Sequence, residues 1–184
     1  MHQIRSGPGG PPLDGLVWPP FMQALGTKGV IVDRLELKVP PVIQTAISAA
    51  LMWILAALLP ALSIEFFASS LIALVLALIG MVFALLGVLA FRSAGTTVDP
   101  RIPDQSSSLV TKGVYRISRN PMYVGFLLML VGWSVFLTNF SSLLLLPLFV
   151  MYMNRFQIFP EERYMREKFG HEYRQYAAAV RRWI

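Results

Sequence analysis

Three stretches of this sequence, 39–64, 66–91 and 120–154, contain no charged side chain. A helix crossing about 30 Å of hydrocarbon needs roughly 20 apolar residues, so each of the first two is the size of one spanning helix. The third is longer and must hold two. A hairpin of two short helices turning at Thr138, Asn139 and Phe140 suits it better than one long helix. A polar tripeptide in mid-bilayer would leave backbone and amide groups without partners. The chain is 14% charged, where an ordinary soluble domain has about 25%.

The expected fold is therefore all-α and polytopic. It has about four transmembrane helices, at 41–62, 67–91, 121–137 and 141–159. Residues 1–40 begin with Gly7, Pro8, Gly9, Gly10, Pro11 and Pro12 and read as a flexible segment, with 17–24 suited to the membrane surface and 41–184 as the membrane domain. The segment 92–120 is a long connecting loop, and the serine run Ser106 to Ser108 is expected to be its mobile part. Beyond the fourth span, Met165, Phe169, Tyr173, Tyr176, Val180 and Ile184 recur at spacings of three and four. They predict an amphipathic tail helix over 160–183 whose other face carries Arg163, Arg166, Lys168, Arg174 and Arg181.

Lysines and arginines mark the orientation. Arg5, Lys28, Arg34 and Lys38 precede the first span, Arg92, Arg101, Lys112, Arg116 and Arg119 lie in the long loop, and the tail carries six more. The two short turns on the other side hold only Glu65. The excess of basic residues on cytoplasmic loops then puts both termini and the long loop in the cytoplasm. A net charge of +6 spread along the membrane edge fits anionic lipid headgroups better than nucleic acid. Without cysteine, disulfides, thiolate metal sites and cysteine nucleophiles are excluded, and two histidines, His2 and His171, make a protein-built metal site unexpected.

A tight hairpin brings the segment before it and the segment after it to one mouth. That mouth would hold Arg116, Arg119 and Arg155 as cations, Glu161 and Glu162 as carboxylates, and Tyr115 and Tyr123 as aromatic walls. Structural explanations exist for each. Asn120 followed by Pro121 suits the start of a helix, the arginines suit membrane anchors, and the acids suit the positive end of the tail helix.

In combination the residues resemble a known family. Gly113, Tyr115, Arg119, Asn120, Pro121, Tyr123 and Gly125 stand in the order Gly-x-Tyr-x-x-x-Arg-Asn-Pro-x-Tyr-x-Gly. Pro160, Glu161 and Glu162 are followed by Phe169, Gly170, Tyr173 and Tyr176. This two-part pattern, together with a stretch from Ala94 to Pro100, resembles the isoprenylcysteine carboxyl methyltransferases and phospholipid methyltransferases over about residues 67–184. Asn120 stands where isoprenylcysteine enzymes usually carry histidine, and the only Gly-x-Gly triplet, Gly7 to Gly9, lies in the flexible segment.

The resemblance implies an S-adenosylmethionine-dependent enzyme. Gly113, Tyr115, Arg119, Asn120, Pro121, Tyr123, Gly125, Glu161 and Glu162 would surround the cofactor, Arg119, Asn120 and Tyr123 would act at the reacting centre, and Arg155 would meet the substrate. Methyl transfer by in-line displacement needs mainly alignment and placement of charge. No residue stands out as a strong base, which suits a carboxylate, thiolate or amine on a lipophilic or lipid-anchored acceptor. Two rival readings are a sterol-reductase-like enzyme using NADPH and a non-catalytic lipid-binding scaffold. The paired acids would repel dinucleotide phosphates and argue against the first.

Overall fold

Residues 36–65, 67–94 and 108–184 are described in a computed structural model. The glycine and proline segment, the 17–24 stretch and most of the long loop, including Ser106 and Ser107, lie outside the described residues. Among those described there is no strand, only an isolated bridge between Ser63 and Asn139.

Helix α1, Pro41–Leu58, starts where the sequence places it, with proline in its first turn, where the missing N–H costs nothing. It stops four residues earlier than expected. Leu59 precedes Pro60, whose ring disfavours helical backbone at the residue before it, and a short 3-10 turn, Pro60–Leu62, follows. Helix α2 spans Ser69–Ser93, α3 Pro121–Leu137, α4 Phe140–Leu143 and α5 Leu145–Met153. From α5 the helix runs on through a π turn, Asn154–Ile158, into α6, Phe159–Ala179. Among the described residues three helical stretches are long and apolar enough to cross a membrane, Pro41–Leu58, Ser69–Ser93 and Phe140–Ala179, and α3 is a shorter apolar helix.

Helices α2 and α3 meet backbone to backbone. A methyl group at Gly80 would come within 2.6 Å of Gly125 O, and one at Gly125 within 2.5 Å of Gly80 O. Ala73, Ala84 and Gly87 continue that buried face of α2. Between apolar helices in lipid there is no hydrophobic force, so close packing of small residues holds them together. The opposite face of α2 exposes Leu71, Leu74, Leu78, Leu85 and Leu89, a surface that suits acyl chains rather than water. Met52, Leu130, Phe149, Met153 and Ile158 form the core between α1, α3 and α5.

At the α3 to α4 turn Thr138 adopts a left-handed conformation and Asn139 is 4% exposed. Its amide nitrogen donates to Leu59 O at 2.9 Å and Ser63 Oγ at 3.2 Å, and its carbonyl accepts from Ser141 N at 2.9 Å. The polar turn thus finds its partners in the loop that follows α1, as a buried amide must.

The tail departs from the expected helix. It carries a break at Gly170 (φ 50°, ψ −113°), accessible only to glycine, and ends at Ala179 rather than 183. Val180 is extended, and the chain turns back toward α3 because its carbonyls find donors there. Arg181 O accepts from Arg119 N at 3.0 Å and Arg182 O from Asn120 Nδ2 at 2.9 Å.

Candidate functional site

The approach to α3 is a 3-10 turn, Gly113–Arg116, entered at Gly113 with φ +62°. Tyr115 is buried in it, its ring edge-on to Phe91 at 5.3 Å. Tyr176 of α6 donates from Oη to Tyr115 O at 2.7 Å, so the tail helix grips this turn directly. Asn120 stands at the start of α3 but makes no side-chain cap. Its amide reaches Arg182 O instead, while its own N–H donates to Ser118 Oγ at 3.0 Å.

The opposing carboxylates are placed by the π turn. Phe159 N donates to Asn154 O, five residues back, and Pro160 has no N–H to give. Phe156 O is taken by Leu37 N at 3.0 Å, and Gln157 Nε2 donates to Val39 O at 2.7 Å. Glu36 pairs with Arg155 and, at 3.1 Å, with Arg163. The segment 36–39 therefore holds the widened turn from outside, and one extra residue in the turn redirects everything after it.

Glu162 is 6% exposed and surrounded by cations. Arg182 binds it through Nε at 2.9 Å and Nη2 at 2.8 Å, Arg119 Nη2 lies 3.1 Å away and Arg166 Nη2 3.6 Å. Burial pushes its carboxyl up, but the Arg182 hydrogen bonds and the charges of Arg119, Arg182 and Arg166 outweigh that and hold it below the usual carboxylate range.

Glu161, next in line, points elsewhere. Tyr123 Oη donates to its Oε1 at 2.5 Å, and no cation pairs with it among the described residues. Burial raises its carboxyl to about 7; the Tyr123 hydrogen bond opposes the shift and the Glu162 charge adds to it. Two adjacent acids are thus driven to opposite protonation behaviour by their surroundings. Burial also lifts the Tyr115 and Tyr176 phenols, so both stay protonated donors.

Along α6 a cavity of about 460 Å³ is lined by Phe159, Glu162, Arg163, Arg166, Glu167 and Arg182. Small-molecule sites run from roughly 300 to 1,000 Å³. The Arg182 guanidinium lies over the Phe159 ring at 4.8 Å. Arg119 Nε is buried without a hydrogen-bond partner among the described residues.

Of the residues singled out from sequence, Tyr115, Arg119, Asn120, Tyr123, Glu161 and Glu162 come together. Pro121 is buried beneath them at the start of α3. Gly125 faces α2 across the Gly80 contact, and Gly113 is exposed with no atom within 4 Å of where a Cβ would stand. Arg155 meets Glu36 and stacks toward Phe156. Sequence reasoning missed Arg182, Ser118 and Glu36. Only Pro160 inside a helical stretch signalled the π turn, and nothing local tied Arg182 to Glu162.

A family model described as phospholipid methyltransferase matches residues 68–172. A Haemophilus influenzae protein of unassigned function is 44% identical over 63 residues, 34% of this chain and all of that one. Protein-S-isoprenylcysteine O-methyltransferase B of Arabidopsis thaliana is 39% identical over 77 residues, 42% of this chain and 39% of the plant protein. The Schizosaccharomyces pombe protein-S-isoprenylcysteine O-methyltransferase is 40% identical over 72 residues, 39% of this chain and 30% of its own. The chain thus spans less than half the length of these two enzymes. No solved structure gives a significant match.

Proposed function

Because the chain belongs to the phospholipid methyltransferase family, we propose that it is an integral membrane enzyme moving a methyl group from S-adenosylmethionine to a lipophilic or lipid-anchored acceptor. The observation that carries this reading is the meeting of the two halves of the sequence pattern, Tyr123 on Glu161 at 2.5 Å and Arg119 on Glu162 at 3.1 Å. Neither half is a site alone. Together they bring cations, carboxylates and phenols to one place, and Glu162 and Arg182 line a cavity of suitable size.

Four spans carry the site, with 121–137 and 141–159 as the tight hairpin and the amphipathic segment from Pro160 onward along the membrane face. The one-sided lysines and arginines support an orientation with both termini and the site in the cytoplasm of a bacterial cell. Membrane lipids are the natural partners of the exposed leucines and of the basic rim.

The residues present fit the methyl donor. Its carboxylate suits Arg163 and Arg166, its ammonium suits Glu162 and Glu167, and its adenine suits Phe159, all of which line the cavity. Tyr115 and Tyr123 wall the reacting centre, and Asn120 orients it together with Arg119. Pro121 and the glycines Gly113 and Gly125 set the backbone on which these side chains stand, and Arg155 anchors the entry of the acceptor. When bound, the donor supplies a sulfonium methyl group. The chain's own contribution is alignment and placement of charge in a site shielded from water.

Calorimetry on purified protein tests the reading. S-adenosylmethionine and S-adenosylhomocysteine should bind saturably and NADPH should not, and a radiolabelled methyl group should pass to a component of native lipid extract. Saturable NADPH binding with no response to either adenosyl compound would replace it with a reductase.

A further inference from the structure

The segment before α1 and the segment after α5 meet where two apolar helices end. Leu37 N donates to Phe156 O at 3.0 Å and Gln157 Nε2 to Val39 O at 2.7 Å, while Pro41 opens α1 and Met153 closes α5. Tyr152 stands there too, its ring 4.8 Å from that of Phe156, and tyrosine gathers at the boundary between membrane and water. In this layer two guanidiniums converge on one carboxylate. Arg155 Nη1 donates to Glu36 Oε1, and Arg163 Nη2 to Glu36 Oε2 at 3.1 Å. The Glu36 side chain is 12% exposed, those of Arg155 and Arg163 39% and 58%, so the acid is enclosed and the cations remain open to the headgroup layer. Leu37, next to Glu36, is held at φ 58°, a left-handed conformation that a leucine seldom adopts. The segment is therefore strained in the position that presents the carboxylate.

We infer that Arg155 and Arg163 form a binding site for the phosphate monoester headgroup of a membrane lipid, and that Glu36 fills this site when no lipid holds it. A phosphate monoester carries about 1.5 to 2 negative charges on three acceptor oxygens, against one charge on two oxygens for a carboxylate, so it serves two guanidinium forks better. The helix beside the site offers a bed for acyl chains. Leu144, Leu148, Met151 and Arg155 recur at spacings of four and three, which sets them on one helix face, and the three apolar members are exposed. Arg155 thus heads an outward apolar stripe, as a headgroup contact should. The inference rests on the membrane placement of these helices and goes beyond the methyltransferase reading, which does not require a resident lipid.

The test is calorimetry on the full chain in maltoside micelles with three probes, dihexanoyl phosphatidic acid, dihexanoyl phosphatidylcholine and inorganic phosphate. Phosphatidic acid should bind saturably, and about tenfold or more tighter than phosphatidylcholine, whose phosphate is a diester balanced by its own cation. Inorganic phosphate, without chains, should bind more weakly than phosphatidic acid. Glu36→Gln should bind phosphatidic acid about tenfold more tightly than wild type, because the internal competitor is gone. Glu172→Gln removes the same charge from an exposed place on α6 and should bind as wild type does. Arg155→Gln and Arg163→Gln should each weaken binding about tenfold or more, and Arg155→Lys and Arg163→Lys, which keep the charge and lose the fork, by less. A Glu36→Gln variant that binds no tighter than wild type overturns the inference, since a purely structural Glu36 would give that result. So does equal affinity for the two lipids, equal tightening by Glu172→Gln, or wild-type affinity in the arginine variants that fold. Inorganic phosphate binding as tightly as phosphatidic acid would replace the lipid with free phosphate. A wild-type chain that binds no adenosyl compound bears on the methyltransferase reading alone, and is distinct from all of these.

Discussion

Arg182 holds Glu162 in a two-point fork, Nε to Oε1 at 2.9 Å and Nη2 to Oε2 at 2.8 Å, while its own carbonyl accepts from Asn120 and Ser118. One residue thus ties α6 to the turn before α3. Breaking a buried pair costs about 3 to 5 kcal/mol. Arg182 is 31% exposed and Glu162 keeps Arg119 and Arg166, so Arg182→Ala should cost less, about 1 to 2 kcal/mol. Arg182→Lys keeps the charge and loses the fork, and its melting temperature in detergent should fall between the two. An alanine variant that melts with wild type would contradict this.

The two glutamates should give opposite slopes of stability with pH. Glu162 titrates below its unfolded value, so its stabilisation is present above the ordinary carboxylate range and is lost as pH falls through its folded value. Glu161 titrates above its unfolded value, near 7 rather than 4.5, so its contribution is present below 4.5 and is lost as pH rises through 7. Glu161→Gln should therefore flatten the loss of stability between pH 5 and 7, on the order of 1 to 3 kcal/mol, and Glu162→Gln should flatten the acid side. Chemical unfolding across pH 4 to 8 reads both, and equal slopes in all three proteins would refute the assignment.

Where α2 and α3 cross, no side chain can be added cheaply. Gly80→Val places atoms into Gly125 O and Met129 N, and overpacking of this kind costs typically 1 to 3 kcal/mol. Gly113→Ala meets no atom and bears only the strain of a positive φ, about 1 kcal/mol. Thermal shift on the two variants should rank them in that order. A Gly113 variant that destabilises more than the Gly80 variant would mean that the close helix crossing is not what holds the pair together.

The apolar helices were legible because charge-free runs and bilayer thickness leave few alternatives, and the Asn139 turn was legible because a buried amide needs partners. The juxtaposition of Tyr123 and Arg119 with the two glutamates followed from the hairpin. Arg182 was not legible. Its fork depends on the tail leaving the helix at Val180 and returning, which local periodicity gives no hint of. The division between Glu161 and Glu162 was also hidden, since adjacent residues on a helix differ in direction by about 100° and only the neighbours decide which one meets cations.

The π turn separates helix formation from the aim of the side chains that follow it. Pro160 has no N–H, so Phe156 O is open to Leu37 N, and Phe159 N reaches Asn154 O in the widened turn. Pro160→Ala restores a donor that competes with Leu37 for Phe156 O and favours the ordinary four-residue register. Relaxing the turn by one residue would rotate the following helix by about 100° and carry Glu161 away from Tyr123 and Glu162 away from Arg119. Alanine is also a far better helix residue than proline, so helix content should hold or rise, even as the lost glutamate contacts lower the melting temperature. Affinity for S-adenosylhomocysteine should nevertheless fall about tenfold or more, the loss of about 1.4 kcal/mol or more of charge-assisted contact. Circular dichroism and calorimetry on the same sample read the two effects separately. A variant that binds as tightly as wild type would show that the glutamates keep their places without the proline, and the widened turn would then have no part in aiming them.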